Sequence, residues 1–270
     1  MNSNSTDIVI PLWEGTSEEE INISISSLKK EIELINNVII VCDGENSFFK
    51  KLKENKKINH KILIIYIKKN MGPGIARNIG AIFSQADNLL FLDAGDICMN
   101  NRIDSQINAL KNNYVSIGAI NERNSIGINR LKFSCKNFNR AKGFLPYKNP
   151  FNNVTIGIKR NFFNSIGGYG ETRVGEDWIL SGKILKETNK IDFKNEVLVL
   201  VNIKEDFFSR REGKLVYREI KKSLEKLYDL EIINFYQLII SKAIQKVSRV
   251  YLSWVFLKFI YKFNRKQFKL

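Results

Sequence analysis

The chain has 270 residues, of which 44% are hydrophobic and 11% aromatic, enough to bury one large core; 43 Lys and Arg against 28 Asp and Glu give a formal charge of +15. Three widely spaced cysteines (Cys42, Cys98, Cys135) and a single histidine, His60, exclude a disulfide framework and a Cys/His zinc site and suit a reducing compartment. No uncharged apolar run approaches the ~20 residues needed to span a bilayer, so the charge surplus, part of it a general bias toward Lys, Asn and Ile, points to polyanionic partners: nucleic acid, an anionic membrane face or phosphorylated substrates.

Met1 to Thr6 is polar and lacks the basic segment and apolar core of a secretory signal, which leads us to expect a cytoplasmic protein. Residues 7–12 read as a first strand, with Pro11 where the ladder ends and Trp13 and Glu14 opening a loop. Ile21, Ile25, Leu28 and Ile32 recur at helical spacing, predicting one amphipathic helix over 18–33. Residues 38–42 form a second apolar strand, stopped by Asp43-Gly44, and strand, helix, strand is the unit of a parallel sheet. A short helix over 48–54, a solvated His60 and a strand over 61–67 follow. In Asn70-Met71-Gly72-Pro73-Gly74-Ile75-Ala76-Arg77-Asn78-Ile79-Gly80, proline is pre-organised for helix entry, and Ile75, Ile79, Ile82, Phe83 and Ala86 supply the expected buried stripe. The free N–H groups of that helix start attract phosphate, with Arg77 in the first turn, although a Gly-Pro turn with a surface arginine fits the same pattern. GxGxxG and Gly-Lys-Ser/Thr are both missing from it, which removes the dinucleotide and P-loop readings.

Leu89-Leu90-Phe91-Leu92 stops abruptly at Asp93-Ala94-Gly95-Asp96, as a buried parallel strand does when its carboxyl end opens into a cleft. Two carboxylates around small residues leave room for a divalent cation holding a diphosphate. An Asp-Gly turn with Asp96 capping the next helix near Asn100 fits equally well. Beyond lie a helix over 101–110, a strand over 114–120, a long loop region over 121–153 with a hairpin around Leu131 to Phe133, a strand over 154–158 and a short helix over 160–166. Gly167-Gly168-Tyr169-Gly170 leads to a helix opened by Glu176-Asp177-Trp178, where the dipole favours acids whether or not they catalyse, and an exposed Trp178 suits the stacking of a sugar ring. A strand over 197–203, the basic turn Arg210-Arg211-Glu212-Gly213 and a helix over 214–228 complete the main part.

From Phe235 onward there is no Asp or Glu. On a helical projection Ile240, Ala243, Ile244, Val247, Tyr251 and Trp254 share a face opposite Lys242, Lys246 and Arg249. Beyond Ser253 the pattern shifts to Phe256, Ile260 and Phe263 against Lys258, Lys262 and Arg265, which predicts two short amphipathic helices. Such a surface suits the anionic inner face of a cytoplasmic membrane; packing of the apolar faces on the main domain, or a homodimer contact, is the competing arrangement.

The ordered set Val9-Ile10-Pro11, Val41-Cys42-Asp43-Gly44, Asn70-x-Gly72 with Ala76-Arg77-Asn78-x-Gly80, Phe91-Leu92-Asp93-Ala94-Gly95-Asp96, Asn149 to Thr155, Gly167-Gly168-Tyr169 and Glu176-Asp177-Trp178 resembles glycosyltransferase family 2, notably its small bacterial members of capsule and lipopolysaccharide biosynthesis. The resemblance implies an α/β protein of GT-A fold: a Rossmann-like, mostly parallel nucleotide-sugar-binding half (1–97), an acceptor half (98–205) and a basic helical tail (206–270). It implies an inverting transferase moving a sugar from a nucleotide-diphosphate donor to a saccharide or lipid-linked acceptor, with no nucleic-acid partner. Pro11, Trp13, Glu14, Asp43, Arg77, Asp93, Arg210 and Arg211 would hold the donor, Asp93 and Asp96 a Mg²⁺ or Mn²⁺ ion, Asp177 would be the catalytic base, and Glu176 and Trp178 would meet the acceptor. Gly95 and Asn153 stand where relatives often carry an acid and a histidine, which leaves few metal ligands. Transfer onto a polyprenyl phosphate is the alternative within enzymes, and a non-catalytic basic binding protein the alternative outside them.

Overall fold

A computed structural model describes residues 5–45, 61–124, 129–204 and 211–251; the expected helix over 48–54, His60, Arg210 and the tail beyond 251 lie outside the described residues. The strands are β1 (Thr6–Trp13), β2 (Asn37–Asp43), β3 (Ile62–Ile67), β4 (Asn88–Phe91), β5 (Ile97–Cys98), β6 (Val115–Asn124), β7 (Asn129–Lys132), β8 (Gly157–Lys159) and β9 (Ile191–Ile203). They form one sheet in the order β3-β2-β1-β4-β8-β6-β9-β5, with β7 on β6. The first four are mutually parallel, while β8 runs antiparallel between β4 and β6. Pro11 lies past the β4 ladder, which ends at the Val9 and Phe91 pair, whereas the β2 ladder continues to Trp13 and Asp43. A missing N–H is tolerated where one neighbour has already ended.

Alternate residues of each strand point to opposite faces, so Val9, Val41 and Phe91 enter one core cluster and Ile8, Ile10, Ile40 and Leu90 another across the sheet. The helices are α1 (Glu18–Ser27), α2 (Pro73–Phe83), α3 (Arg102–Leu110), α4 (Phe138–Phe144), α5 (Arg160–Ser165), α6 (Glu176–Glu187), α7 (Lys214–Asp229) and α8 (Phe235–Lys246). Ile220, Leu224 and Leu227 of α7 and Leu238 of α8 belong to the first cluster, beside Trp178 and Ile179.

Several expectations need correction. The single helix over 18–33 breaks at buried Leu28, whose N–H bonds the Ile25 carbonyl, and continues as a 3₁₀ turn over Lys29–Leu34. The region 121–153 is not one loop but the end of β6, then β7 and α4. Residues 153–155 form a 3₁₀ turn ahead of β8 rather than strand. The expected stripe of α2 holds only in part: Ala86 is buried and Ile79 packs against the first cluster, but Ile82 is 74% exposed and Phe83 also faces solvent, while Gly74, Ala76, Arg77, Gly80 and Ala81 are buried. Backbone proximity decides this, because a Cβ at Gly80 would lie 2.4 Å from Val9 Cγ1. The helix approaches the sheet through its small residues and carries Arg77 inward with them.

Packing of the tail helix's apolar face on the main domain, the competing arrangement, is not what α8 shows. Ile240, Ala243, Ile244 and Val247 are exposed, and the buried residues of α8 are Leu238, Ser241 and Gln245. Among the described residues no helix is long and apolar enough to cross a membrane.

Candidate active site

Because β1, β2 and β4 are parallel, Trp13, Asp43 and the Asp93 loop share one sheet edge, the edge at which open α/β sheets bind ligands. The Asp43 carboxylate is buried and fully engaged. One oxygen accepts the Met71 N–H and the other the Gly72 N–H, each at 2.7 Å. It thereby fixes the turn into α2, where Gly72 sits at φ 99°, a conformation that favours glycine. Pro11 is half-buried on this edge, Trp13 and Glu14 are exposed beyond it, and the Trp13 N–H donates to Thr16 Oγ1 at 3.0 Å.

Arg77 is a buried bridge, not a surface residue at a phosphate-facing helix start. Nη2 donates to Asp93 Oδ1 at 2.6 Å and Nη1 to Glu176 Oε1 at 3.1 Å, and the guanidinium lies 5.2 Å from the Tyr169 ring centre. It ties the end of β4 to the start of α6, its own partner Glu176 lying 99 positions further along the sequence. Burial works against the Arg77 charge, but Asp93, Tyr169 and Glu176 outweigh it and hold the group ionised. Its Nε is buried with no partner, so the fork is anchored by its two terminal nitrogens alone.

Asp93 keeps a side chain 39% exposed to the cleft, whereas Asp96 is buried. The loop between them is tied down. Ser24 Oγ donates to the Asp96 carbonyl at 3.0 Å, Gly95 N–H bonds the Glu20 carbonyl at 3.1 Å, and Asn202 Nδ2 bonds the Gly95 carbonyl at 2.6 Å. Burial, and then the Asp93 charge, push the Asp96 carboxyl well above the usual carboxylate range, with the Asn202 backbone N–H, Arg102 and Arg211 pulling it partly back. The helix-cap reading of Asp96 fails, since α3 begins at Arg102 after Asn101 and has no side-chain cap. Arg102 is instead a residue the sequence did not single out. Fully buried, it donates to the Phe91 and Val154 carbonyls at 2.8 and 2.9 Å and so holds β4 against the 153–155 turn below the carboxylates.

At the start of α6, Asp177 is half-buried and oriented from two sides: Asn149 Nδ2 donates to Oδ2 and the Trp178 N–H to Oδ1, both at 2.9 Å. Asn149 is itself held, its Oδ1 accepting Ser181 Oγ at 2.7 Å. Glu176, one residue earlier, is buried against Arg77. Burial and then Asp177 raise its carboxyl to about 7, and the Arg77 ion pair offsets only part of this. Two adjacent acids thus differ in environment, one open to the cleft and one enclosed. Trp178 corrects the expectation of a sugar platform: it is 3% exposed, and its Nε1 donates to the Leu145 carbonyl at 2.7 Å within the core. Arg211 lies exposed, and its charge acts on Asp96. The structure therefore brings Asp43, Arg77, Asp93, Asp96, Glu176 and Asp177 to one edge and removes Trp178 from it. Among the described residues no group of three or more His, Cys, Asp or Glu side chains is arranged to hold a metal ion.

A model described as glycosyl transferase family 2 matches residues 7–166. Similar proteins include the amylovoran biosynthesis glycosyltransferase AmsE of Erwinia amylovora, 25% identical over 229 residues that cover 83% of this chain and 85% of that protein. A UDP-Gal:alpha-D-GlcNAc-diphosphoundecaprenol beta-1,3-galactosyltransferase of Escherichia coli is 26% identical, covering 81% of each. Among solved structures, S. aureus TarS 1-349 in complex with UDP-GlcNAc superposes with a TM-score of 0.67 over 94% of this chain and 76% of that one, at 15% identity, a likeness of fold.

Proposed function

From the premise that the chain belongs to glycosyl transferase family 2 and has a GT-A fold, we propose that it is an inverting transferase moving a sugar from a uridine-diphosphate donor to a hydroxyl of a saccharide or lipid-linked acceptor in bacterial surface polysaccharide biosynthesis. The observation that carries the reading is Asp177, a half-buried carboxylate oriented by Asn149 and its own helix start, joined to the Asp93 loop through Glu176 and Arg77. The names of the similar proteins, which act in amylovoran biosynthesis and on a diphosphoundecaprenol-linked sugar, support the acceptor class, and the TarS complex supports the uridine donor.

In the mechanism, Asp177 takes the acceptor hydroxyl's proton as that oxygen attacks the anomeric carbon, and the nucleoside diphosphate leaves on the opposite side. Asn149 and the Trp178 N–H fix the carboxylate so that one geometry serves the transfer. Glu176, its carboxyl raised to about 7, carries less negative charge beside it than an ordinary carboxylate would. Arg77 holds Asp93 in place, while Arg211 would meet the leaving diphosphate, a role the family resemblance extends to Arg210. Pro11, Trp13, Glu14 and the loop pinned by Asp43 wall the base. Asp93 and Asp96 suit one shared divalent cation: two neighbouring carboxylates, one pushed toward neutrality by burial and then by the other's charge, are a donor set that a cation with diphosphate oxygens would complete. Mg²⁺ or Mn²⁺ there would supply Lewis-acid stabilisation of the leaving group.

The surface of α8 supports peripheral association with an anionic membrane, as a lipid-linked acceptor requires. Tyr236 is 78% exposed, Ile239, Ile240, Ile244 and Val247 also face solvent, and the chain from Phe235 to its end carries eight Lys or Arg and no acid.

Thermal-shift screening against UDP-, GDP-, CMP- and dTDP-sugars identifies the donor, a bound ligand at a hundredfold excess over its Kd adding about 2.7 kcal/mol. With that donor, Asp177→Asn is expected to retain the shift and lose at least ~10²-fold in turnover. Unchanged turnover would move the base elsewhere.

A further inference from the structure

The turn over Asn153–Thr155 is pinned by buried polar groups, and one of its side chains is not spent on packing. Arg102 Nη2 donates to both the Phe91 and Val154 carbonyls, at 2.8 and 2.9 Å, and Gln106 Nε2 to the Thr155 carbonyl at 2.8 Å. Thr155 Oγ1 donates to the Asn152 carbonyl at 2.8 Å, and Asn152 Nδ2 to the Gly118 and Lys132 carbonyls at 3.1 and 3.0 Å. Arg102, Gln106, Asn152 and Thr155 are buried, whereas Asn153 is only half-buried. Enclosing that many polar groups costs desolvation, which an apolar turn would have avoided. Asn153 Oδ1 accepts the Tyr169 O–H at 2.8 Å. Tyr169 is fully buried, and burial, with the Asp93, Glu176 and Asp177 charges set against that of Arg77, keeps its phenol protonated. A buried phenol hydrogen needs an acceptor, which fixes the amide with its oxygen toward Tyr169 and its NH2 group away from it. Among the described residues Asn153 Nδ2 has no hydrogen-bond partner.

The turn lies at the same sheet edge as the acidic loop. The antiparallel ladder of β4 with β8 runs from Asn88 and Lys159 to Leu90 and Gly157, and the Phe91 N–H carries it on to the Ile156 carbonyl at 3.1 Å. The turn therefore flanks the chain as it leaves β4 for Asp93. From Asn153 the contacts lead back to that carboxylate, for the Tyr169 ring centre lies 5.2 Å from the Arg77 guanidinium, which is bonded to Asp93 and Glu176. Along the edge the order is Asp43 at the end of β2, Trp13 at the end of β1, Asp93 beyond β4 and Asn153 ahead of β8. A nucleotide-sugar laid along it, with the base at Asp43 and Trp13 and the diphosphate at Asp93, brings its sugar to Asn153.

We infer that Asn153 determines donor-sugar specificity: its NH2 group, aimed by the Tyr169 O–H, donates to a hydroxyl oxygen of the sugar being transferred. This rests on the reading of the edge as a nucleotide-sugar site. Because the turn and the amide are already fixed, little side-chain freedom is lost when the donor binds. An epimer whose hydroxyl points elsewhere leaves the amide unpaired, and that difference selects the sugar.

The test compares dissociation constants of the full chain for UDP and for UDP-glucose, UDP-galactose, UDP-GlcNAc and UDP-GalNAc, measured by calorimetry with Mg²⁺ or Mn²⁺ present throughout. Asn153→Ala is expected to weaken the preferred sugar nucleotide about five- to tenfold, the loss of one hydrogen bond, and to narrow the spread among the four sugars while UDP binds as before. Tyr169→Phe keeps the ring but frees the amide to turn, and is expected to weaken the same sugar nucleotide by a smaller factor, again with UDP unchanged. Melting temperatures of both variants show whether they fold. A folded Asn153→Ala that loses UDP as much as the sugar nucleotide overturns the inference, because the turn then serves the nucleotide or the fold. So does one that binds every ligand as the wild type does. If Asn153→Ala does not fold, Tyr169→Phe decides, and wild-type sugar affinity in that variant overturns the inference. Failure of the donor reading looks different: the wild type itself then binds none of these ligands, and the inference falls with it.

Discussion

Glu176 offers a stability measurement that depends on burial rather than on catalysis. Its carboxyl ionises near 4.5 when the chain is unfolded and at about 7 in the folded protein, where burial and Asp177 disfavour its charge and Arg77 offsets only part of that. Below pH 4.5 both states are protonated and the group costs nothing. As pH rises from there to about 7, the unfolded chain releases the proton and the folded one retains it, so stability falls. The gap between 4.5 and about 7, at ~1.4 kcal/mol per pH unit, amounts to about 3 kcal/mol, constant above pH 7. Glu176→Gln keeps an acceptor for Arg77 Nη1 and removes the titration. Urea unfolding of both proteins at half-unit steps from pH 4.5 to 8.5 is expected to show the variant gaining on the wild type by up to about 3 kcal/mol through pH 7 and then running parallel to it. Asp96, which is also raised, contributes equally to both curves and cancels in the difference. A difference curve flat across pH 4.5 to 7 would refute the argument, because Glu176 would then be ionised in the folded state as readily as in the unfolded one.

Excess EDTA and Asp96→Ala are each expected to weaken donor binding in thermal-shift titrations, the variant no longer responding to Mg²⁺ or Mn²⁺; full transfer in EDTA would leave Arg211 with Arg210 as the leaving-group partners. Gly80→Ala places a methyl 2.4 Å from Val9 Cγ1 and is expected to destabilise by about 1–3 kcal/mol in urea unfolding, despite alanine's better helix propensity. Ile240→Asp with Ile244→Asp is expected to abolish co-sedimentation with anionic liposomes at low salt while leaving the melting temperature within a few degrees, since both side chains face solvent. Equal pelleting of variant and wild type would assign α8's outer face to something other than lipid.

The parallel half of the sheet and its polar edge are written in the sequence, because a strand buried on both faces needs an unbroken apolar run and can stop only where polar groups meet the cleft. Val38 to Cys42 before Asp43, and Leu89 to Leu92 before Asp93, satisfy that condition from local residues alone. So does the helix start at Pro73, whose fixed φ needs no tertiary partner. Periodicity also marked that α2 and α8 have two unlike faces. Which face turns inward was decided by neighbours far away in the chain: Val9 and Val41 demand a helix surface as small as Gly80, and the free carbonyls of Pro146 and Tyr147 favour Ser241 and Gln245 over Ile240 and Ile244. The pairing of Arg77 with both Asp93 and Glu176, the support of Asp177 by Asn149 and the burial of Trp178 against Leu145 arise in the same way. Each of these contacts depends on where two distant backbones come to rest, and a side chain's chemistry states only which partners it would accept, not which one the fold brings within 3 Å.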